Sequence, residues 1–284
     1  MADADEAVAA VLWRTRELDA ITALVSAFAE DANEYDLANS AIVIDSNVFL
    51  NMSGRREYTD ALDYLDSTHQ NVLVIPGQSI QEFWNNHLNA VNTVTVTLKK
   101  KIDEFADELS SIDDDFDDNI SEMKRLLAAI NEHRGHVYSP ETADRTVRML
   151  ERLKVRAIVP YADRSVFTPL AKHRKITKTP PGFKDLGDGD FFVWVDALFG
   201  LWKEKTEGRE FDRVVLVTDD KKMDWSRHGV AHPILTAEVQ SLLGVPFVIW
   251  SLRAFKDAAR EAQQALAAAA AEAGLEAEGL ENAQ

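Results

Sequence analysis

The chain has 284 residues, of which 46% are apolar and 8% aromatic, a composition sufficient for an ordinary globular core. It contains no cysteine, which excludes disulfides and thiolate metal sites. Its first ten residues, MADADEAVAA, lack the basic and apolar regions of a signal peptide, and no apolar run reaches the roughly 18 residues of a membrane helix. We therefore expect a cytoplasmic protein with no membrane partner.

The net charge of -17 argues against a polyanionic partner, because phosphate binding usually requires a basic surface. The excess acids, however, are concentrated in three segments, 1–39, 103–118 and 261–284. Residues 145–184 carry eleven Lys and Arg against two acids. This basic strip is predicted to follow the phosphate backbone of a nucleic acid.

The N-terminal part of the chain changes from helical periodicity to a strand pattern. Apolar residues between 5 and 30 recur at helical spacing, which predicts one or two amphipathic helices that pack on the core. Ala41–Ile44 is continuously apolar, the pattern of a strand covered on both faces in a parallel α/β sheet. Because ligands bind beyond the carboxyl ends of such strands, Asp45 is the first candidate site residue; its alternative role is a helix N-cap.

A second strand and a long helix follow. Val72–Ile75 is apolar, and the helix after it carries Glu82. No Gly or Pro occurs from 78 to 134, and apolar residues recur every three or four positions, which predicts a coiled-coil-like seam. With a return helix, this helical arm spans 86–157. Because the return helix is shorter than the seam, the excess apolar surface predicts a homodimer through the arm, unless the N-terminal helices or a bend near Asp113 cover it within one chain.

The C-terminal half supplies the remaining strands. Residues 158–184 are basic and are predicted to form a loop, and a helix begins after Gly189-Asp190. Val214–Val217 is a third buried strand, and 246–250 is the last. Beyond Arg253 we predict a helix that ends in a frayed or disordered, acidic, alanine-rich tail.

These elements predict an α/β fold, a doubly wound parallel sheet flanked by helices. Its core is formed by 40–85 and 158–253, and the arm of 86–157 is inserted into this core. The N-terminal helices, 1–39, pack on the core, and 254–284 forms the C-terminal helix and tail.

Four acids occupy the ends of predicted strands or the starts of predicted helices: Asp45, Glu82, Asp190 and Asp220. They converge if the strands are parallel neighbours. Such a cluster repels itself unless cations neutralise it, and oxygen ligands in a chain without Cys suit Mg²⁺ or Mn²⁺. Two such ions lower the pKa of water and stabilise the leaving oxygen of a phosphodiester. Each acid alone is more simply explained as a helix cap or first-turn acid, so the prediction rests on the set.

Further polar residues lie beside these acids in the sequence. Asn47 is predicted to hydrogen-bond near the metal-bound water, and four acids are predicted as supporting or spare carboxylates: Asp185, Asp188, Asp219 and Asp224. Seven basic residues are candidate phosphate contacts, with ordinary solvated side chains as the alternative: Lys172, Arg174, Lys175, Lys178, Lys184, Lys221 and Lys222.

Four segments resemble PIN-domain nucleases: IVIDSNVFL, IPGQSIQEFWNN, PPGFKDLGDGDFFVWVDAL and VVLVTDDKKMDW. The last two resemble a bacterial PIN-like group in which PPG-[FY]-KD precedes Gly-Asp and a Trp-bearing helix, followed by TDDKK-x-DW. The resemblance covers about 40–85 and 176–250. It places the acids of the family on the four residues above, with Thr218 as a hydroxyl partner. It implies a doubly wound parallel sheet and metal-dependent endonucleolytic cleavage of RNA, and sometimes of structured DNA.

Two alternatives belong to other classes of protein. A haloacid-dehalogenase-like phosphohydrolase also places an Asp after a strand and an acidic Gly-Asp motif later, but it requires a second acid where Asn47 stands. A catalytically idle scaffold whose arm binds a partner is the other alternative, and the intact acid set argues against it.

Overall fold

Four parallel strands form the central sheet of the computed structural model, and a separate antiparallel hairpin lies beside it. The strands are β1 (Ser40–Ile44), β2 (Leu73–Val74), β3 (Arg213–Val217), β4 (Ser226–Arg227), β5 (Val230–Ala231) and β6 (Phe247–Trp250). The sheet order is β2-β1-β3-β6, and β4 pairs with β5 in the hairpin. All four strands predicted from continuous apolar runs are present, and the α/β fold is confirmed.

The structure describes residues 4–29, 37–54, 58–85, 100–101, 104–105, 107–109, 121–126 and 148–281. The helices labelled within them are α1 (Ala4–Leu12), α2 (Ala20–Ala29), α3 (Ser46–Gly54), α4 (Thr59–Asp63, continued by a π-helical turn, Tyr64–Thr68), α5 (77–85), α6 (Arg164–Ile176), α7 (Gly189–Thr206), α8 (Pro233–Leu243) and α9 (Leu252–Glu281). Residues 121–126 and 148–153 are also helical.

The sheet is covered on both faces, because successive strand residues point to opposite sides. On one face, Ala41 and Val43 of β1 belong to an apolar cluster with residues of α1, α6, α7 and α8. On the other face, Ile42 and Ile44 belong to a second cluster with residues of α3, α4, α5 and α9. The continuous apolar pattern of the strands follows from this double burial.

The prediction of a loop over 158–184 is wrong, because this segment contains α6. Asp163 caps the helix by accepting a hydrogen bond from the Ser165 backbone N–H at 2.7 Å. Phe167 and Leu170 are buried at helical spacing. Pro169 lies inside the helix, and the burial of this apolar face offsets the missing backbone donor.

Most of the predicted arm, its coiled-coil seam and its dimer contact lie outside the described residues and remain predictions. Of the return segment, Met149 and Leu153 are buried in the cluster that contains α4 and α9. Arg152 donates to Asp63 and Asp66 beside them. The described return residues therefore pack on the core, whereas the sequence suggested that they fold back on the seam.

The described residues nearest the two termini are helical. Val8 and Val11 of α1 are fully buried in the first apolar cluster. The C-terminal helix, α9, continues to Glu281, so the predicted frayed tail is helical; its many Ala and Glu residues have high helix propensity. In the described parts of the chain, no helix combines the length and the apolar character needed to cross a membrane.

Candidate active site

Asp45 and Thr218 meet at the carboxyl edge of the sheet, because β1 and β3 are parallel neighbours in register. The Thr218 hydroxyl donates to Asp45 Oδ2 at 2.7 Å, and Asn47 Nδ2 donates to the same oxygen at 2.8 Å. Thr218 Oγ1 accepts from the Asp220 backbone N–H at 3.0 Å. These bonds fix the Asp45 carboxylate and the start of the loop that carries Asp220.

The Asp45 residue is only 8% exposed. Burial raises the pKa of Asp45 to about 6, although hydrogen bonds from Thr218 and Ser46 oppose this shift. The nearby charges of Glu82 and Asp220 raise the pKa further. A cation at this carboxylate would stabilise its charged form.

Glu82 on α5 is connected to Asp45 through Ser46. The Ser46 hydroxyl lies 3.1 Å from Glu82 Oε2 and 3.3 Å from Asp45 Oδ1. Gln78 Nε2 donates to the other Glu82 oxygen at 3.1 Å. The first residue of α7, Gly189, packs so closely that an added Cβ would overlap Glu82 Oε1. Gly189 therefore allows the start of α7 to approach Glu82.

A fully buried acid of α7, Asp196, positions the helix that carries Glu82. Its Oδ2 accepts from the backbone N–H of Gln78 in α5 at 2.9 Å, and its Oδ1 accepts from the backbone N–H of Ala162 at 3.0 Å. The Arg164 guanidinium donates to both oxygens. Asp196 was not predicted from the sequence. A single acid within the apolar run FFVWVDAL could have indicated a buried, paired carboxylate.

Lys222 lies at the convergence of three carboxylates. Its Nζ is 2.8 Å from Asp185 Oδ2, 2.9 Å from Asp190 Oδ2 and 3.1 Å from Asp220 Oδ2. Trp225 Nε1 donates to Asp190 Oδ2 at 3.0 Å. Lys222 was predicted as a phosphate contact, but in the structure it neutralises acids of the site.

The pKa values of these groups reflect burial and this ion-pair cluster. Burial raises the pKa of Asp190 to about 7, although the ammonium of Lys222 opposes the shift. Burial also raises the pKa of Asp185, but hydrogen bonds with Lys222 and Asp190 and the charges of Lys222 and Lys175 together outweigh it and lower the pKa. Partial burial alone would lower the pKa of Lys222, but hydrogen bonds to Asp185 and Asp190 outweigh it and raise the pKa.

The four predicted acids thus form one connected row. Glu82 and Asp45 share the Ser46 hydroxyl, Asp45 reaches the Asp220 backbone through Thr218, and Lys222 joins Asp220 to Asp190. The residues that connect them were present in the quoted motifs, but only Thr218 had been given that role.

Arg174, predicted from the sequence as a phosphate contact, lies in a buried ion pair in the structure. Its side chain is 2% exposed and lies on the inner face of α6. Arg174 Nη1 donates to the buried Glu238 at 2.7 Å, and Nη2 donates to the Pro180 carbonyl. Trp194 Nε1 donates to Glu238 at 2.8 Å. Arg174 therefore anchors the loop that leads to Asp185.

Three predicted supporting acids have other partners. Asp224 is 1% exposed and accepts from the backbone N–H of Gly182 at 2.9 Å, which also anchors this loop. Asp219 accepts from the backbone N–H of Leu252 at 2.9 Å at the start of α9. Asp188 pairs with Lys175 at 2.7 Å, so this lysine holds the segment before α7.

The remaining predicted phosphate contacts are exposed: Lys172, Lys178, Lys184 and Lys221. Lys221 lines a cavity of about 600 Å³ that also borders Thr218 and Asp220. Arg227 and His228 of the β4–β5 hairpin lie on its other side. The hairpin residues were not predicted as contacts, because no local sequence pattern places them beside this cavity.

Hard divalent ions fit the chemistry of this donor set, although the carboxylates are not arranged as a cage. Within the described residues, no group of three or more His, Asp or Glu side chains is placed so that it could hold a metal ion. Lys222 occupies the point where three of the carboxylates meet. Mg²⁺ usually needs only one or two protein carboxylates, with waters and substrate phosphates as further ligands. Asp45 and Glu82 meet that requirement.

A family model described as a PIN like domain matches residues 41–235. The chain belongs to this PIN-like domain family, whose members are generally nucleases. The matched range includes all four acids, and it spans the predicted arm of 86–157. No curated protein matches the chain, and no solved structure matches it.

Proposed function

We propose that this protein is a metal-dependent endonuclease that hydrolyses phosphodiester bonds, with RNA favoured over DNA as its substrate. The observation that carries the proposal is the connected row of Glu82, Asp45, Asp220 and Asp190 at the carboxyl edge of the sheet. Membership of the PIN-like family supports the same class of activity.

The four acids are the residues that would hold Mg²⁺ or Mn²⁺, as one ion or two. A bound ion supplies a water of lowered pKa and neutralises charge on the phosphodiester. Thr218 and Asn47 hold Asp45 in one orientation, and burial keeps its carboxylate away from competing water. Gln78 and Ser46 hydrogen-bond to the two oxygens of Glu82 and hold that carboxylate in one orientation.

The substrate would reach these acids through the cavity beside the β4–β5 hairpin. Lys221 and Arg227 at its border supply positive charge that matches a phosphate backbone. The exposed Lys178 and Lys184, which precede Asp190 in the sequence, add further positive charge. A nucleic acid in the cytoplasm thus remains the proposed partner despite the net charge of -17.

The proposal is tested with purified full-length protein and one sequence supplied as single-stranded RNA and as single-stranded DNA. We expect Mg²⁺- or Mn²⁺-dependent internal cleavage of the RNA that leaves 5′-phosphates and stops with EDTA. Asp45→Asn and Asp220→Asn should each lower the rate by orders of magnitude. Asp212→Asn is the matched control, because this exposed acid precedes β3 at the opposite edge of the sheet.

Other results would favour the other classes of function. Wild-type activity in a folded Asp45→Asn or Asp220→Asn variant would remove that residue from the site. A trappable aspartyl-phosphate on Asp45 would indicate a phosphohydrolase. The absence of both cleavage and divalent-ion binding would leave a non-catalytic scaffold.

A further inference from the structure

The row of acids is neutralised unequally along its length. At one end, the donors to Asp45 and Glu82 are the neutral groups of Ser46, Asn47, Thr218 and Gln78. Among the described residues, no Lys or Arg forms an ion pair with either acid. At the other end, the Lys222 ammonium contacts three carboxylates. Among the described residues, basic side chains therefore pair with the acids at one end of the row and not with those at the other.

The Lys222 ammonium has one N–H donor for each of its three carboxylate partners. An ammonium has three N–H donors, and its three carboxylate partners here lie at 2.8, 2.9 and 3.1 Å. They come from the loop before α7, from α7 itself and from the end of β3, so one lysine joins three parts of the chain.

The backbone of Lys222 is also fixed. Its N–H donates to Asp220 Oδ1 at 2.8 Å, and its carbonyl accepts from the backbone N–H of Trp225 at 3.0 Å and of Ser226 at 3.2 Å. These bonds direct Lys222 toward the acids, whereas the adjacent Lys221 is exposed. Of these two adjacent lysines, Lys222 therefore contacts the acids of the site and Lys221 faces solvent.

We propose that the Lys222 ammonium takes the place of a second divalent cation, so that the site binds one ion, at Asp45 and Glu82, and neutralises Asp185, Asp190 and Asp220 with lysine. This inference rests on the proposed function. A single ion held by two carboxylates is within the ordinary range for Mg²⁺, which completes its coordination with waters and substrate oxygens. Lys222 acts here as a positioning residue, because it keeps three carboxylates together without a metal.

The test counts bound ions rather than turnover. Mn²⁺ is titrated into the full chain, and the free ion is measured by electron paramagnetic resonance. We expect one bound Mn²⁺ for the wild-type protein and two for Lys222→Met, because removal of the ammonium leaves three unneutralised carboxylates. Lys221→Met is the matched control and should bind one. Lys222→Arg keeps the charge and should also bind one.

Each result has a defined consequence. Two ions in the wild-type protein, or one in a folded Lys222→Met variant, would overturn the role of Lys222. No bound ion in either protein would contradict the proposed function itself, and with it this inference. Circular dichroism checks the folding of each variant. If methionine prevents folding, Lys222→Gln provides a polar neutral side chain of similar length and carries the same expectation of two ions.

Discussion

The Thr218 hydroxyl donates a hydrogen bond of 2.7 Å to Asp45 Oδ2, and this bond joins the ends of two neighbouring parallel strands. The same Thr218 oxygen accepts from the Asp220 backbone N–H and from Asn47 Nδ2. One hydroxyl group is thus shared by three site residues. Thr218 consequently controls the placement of two of the four acids.

Replacing Thr218 with Val should lower activity with the fold retained. Valine preserves the shape but removes a donor to Asp45 and an acceptor for Asp220. We expect an activity or Mn²⁺ affinity about 10- to 100-fold lower and a free energy of unfolding lower by about 1–3 kcal/mol. Thr218→Ser keeps the hydroxyl and serves as the control. Equal activities for the Val and Ser variants would contradict this role.

Adding one methyl group at Gly189 should displace Glu82. The new Cβ would overlap Glu82 Oε1, which lies at the end of a flexible side chain and can move away. Gly189→Ala should therefore weaken Mn²⁺ binding and cleavage at least 10-fold and change the free energy of unfolding by about 1 kcal/mol or less. Gly187→Ala adds the same methyl in open space two residues earlier and should leave Mn²⁺ binding unchanged.

Removing Arg174 should affect stability and not the salt dependence of RNA binding. Arg174→Met leaves the carboxylate of Glu238 buried without its cation, a loss that typically costs about 3–5 kcal/mol. Urea denaturation measures this change, and the exposed Lys172→Met variant is the control. An Arg174→Met variant as stable as wild type, with a shallower dependence of RNA affinity on salt, would restore the original phosphate-contact prediction.

The buried His69 should make stability depend on pH. Burial lowers the pKa of His69 to about 4, and the charge of Arg156 acts in the same direction. Between about pH 6.5 and pH 4 the unfolded chain binds a proton that the folded chain excludes, so this residue lowers stability as the pH falls, by up to about 3 kcal/mol.

The variant His69→Gln isolates this effect from other titrating groups. The raised pKa values of Asp45 and Asp190 have the opposite effect, because their folded forms bind protons more readily over the same pH range. The measured quantity is therefore the difference in unfolding free energy between wild type and variant from pH 7 to pH 4. A difference that does not change with pH would contradict the lowered pKa of His69.

The strands could be predicted from sequence because their burial is a local signal. Both faces of β1 and β3 are covered, so their residues are continuously apolar, and the polar residue that ends each run marks the functional edge of the sheet. Asp45 follows directly from that rule, and Asp220 lies two residues beyond Thr218, which ends the β3 run. The helix α6 was missed because its basic residues and Pro169 obscured the buried face of Phe167 and Leu170.

The roles of the cationic residues depend on partners that are distant in sequence. Arg174 is paired with Glu238, 64 residues away, and nothing near Arg174 in the sequence distinguishes it from an exposed arginine. Lys222 likewise meets Asp185 and Asp190, which lie more than 30 residues earlier. Composition located the basic strip, but only the tertiary structure separates its surface charges from its internal ones.

Backbone hydrogen bonds join β2 and the start of α5 to the residues directly after the predicted arm of 86–157. Ile158 N–H donates to the Leu73 carbonyl and Gly77 N–H donates to the Pro160 carbonyl, each at 2.9 Å. Residues that precede the predicted arm are therefore bonded directly to residues that follow it. A polypeptide cut within 86–157 would yield two fragments that each contain two strands of the central sheet. The first fragment holds Asp45 and Glu82, and the second holds Asp190 and Asp220. Neither fragment contains a complete set of acids, so nuclease activity would report their reassembly.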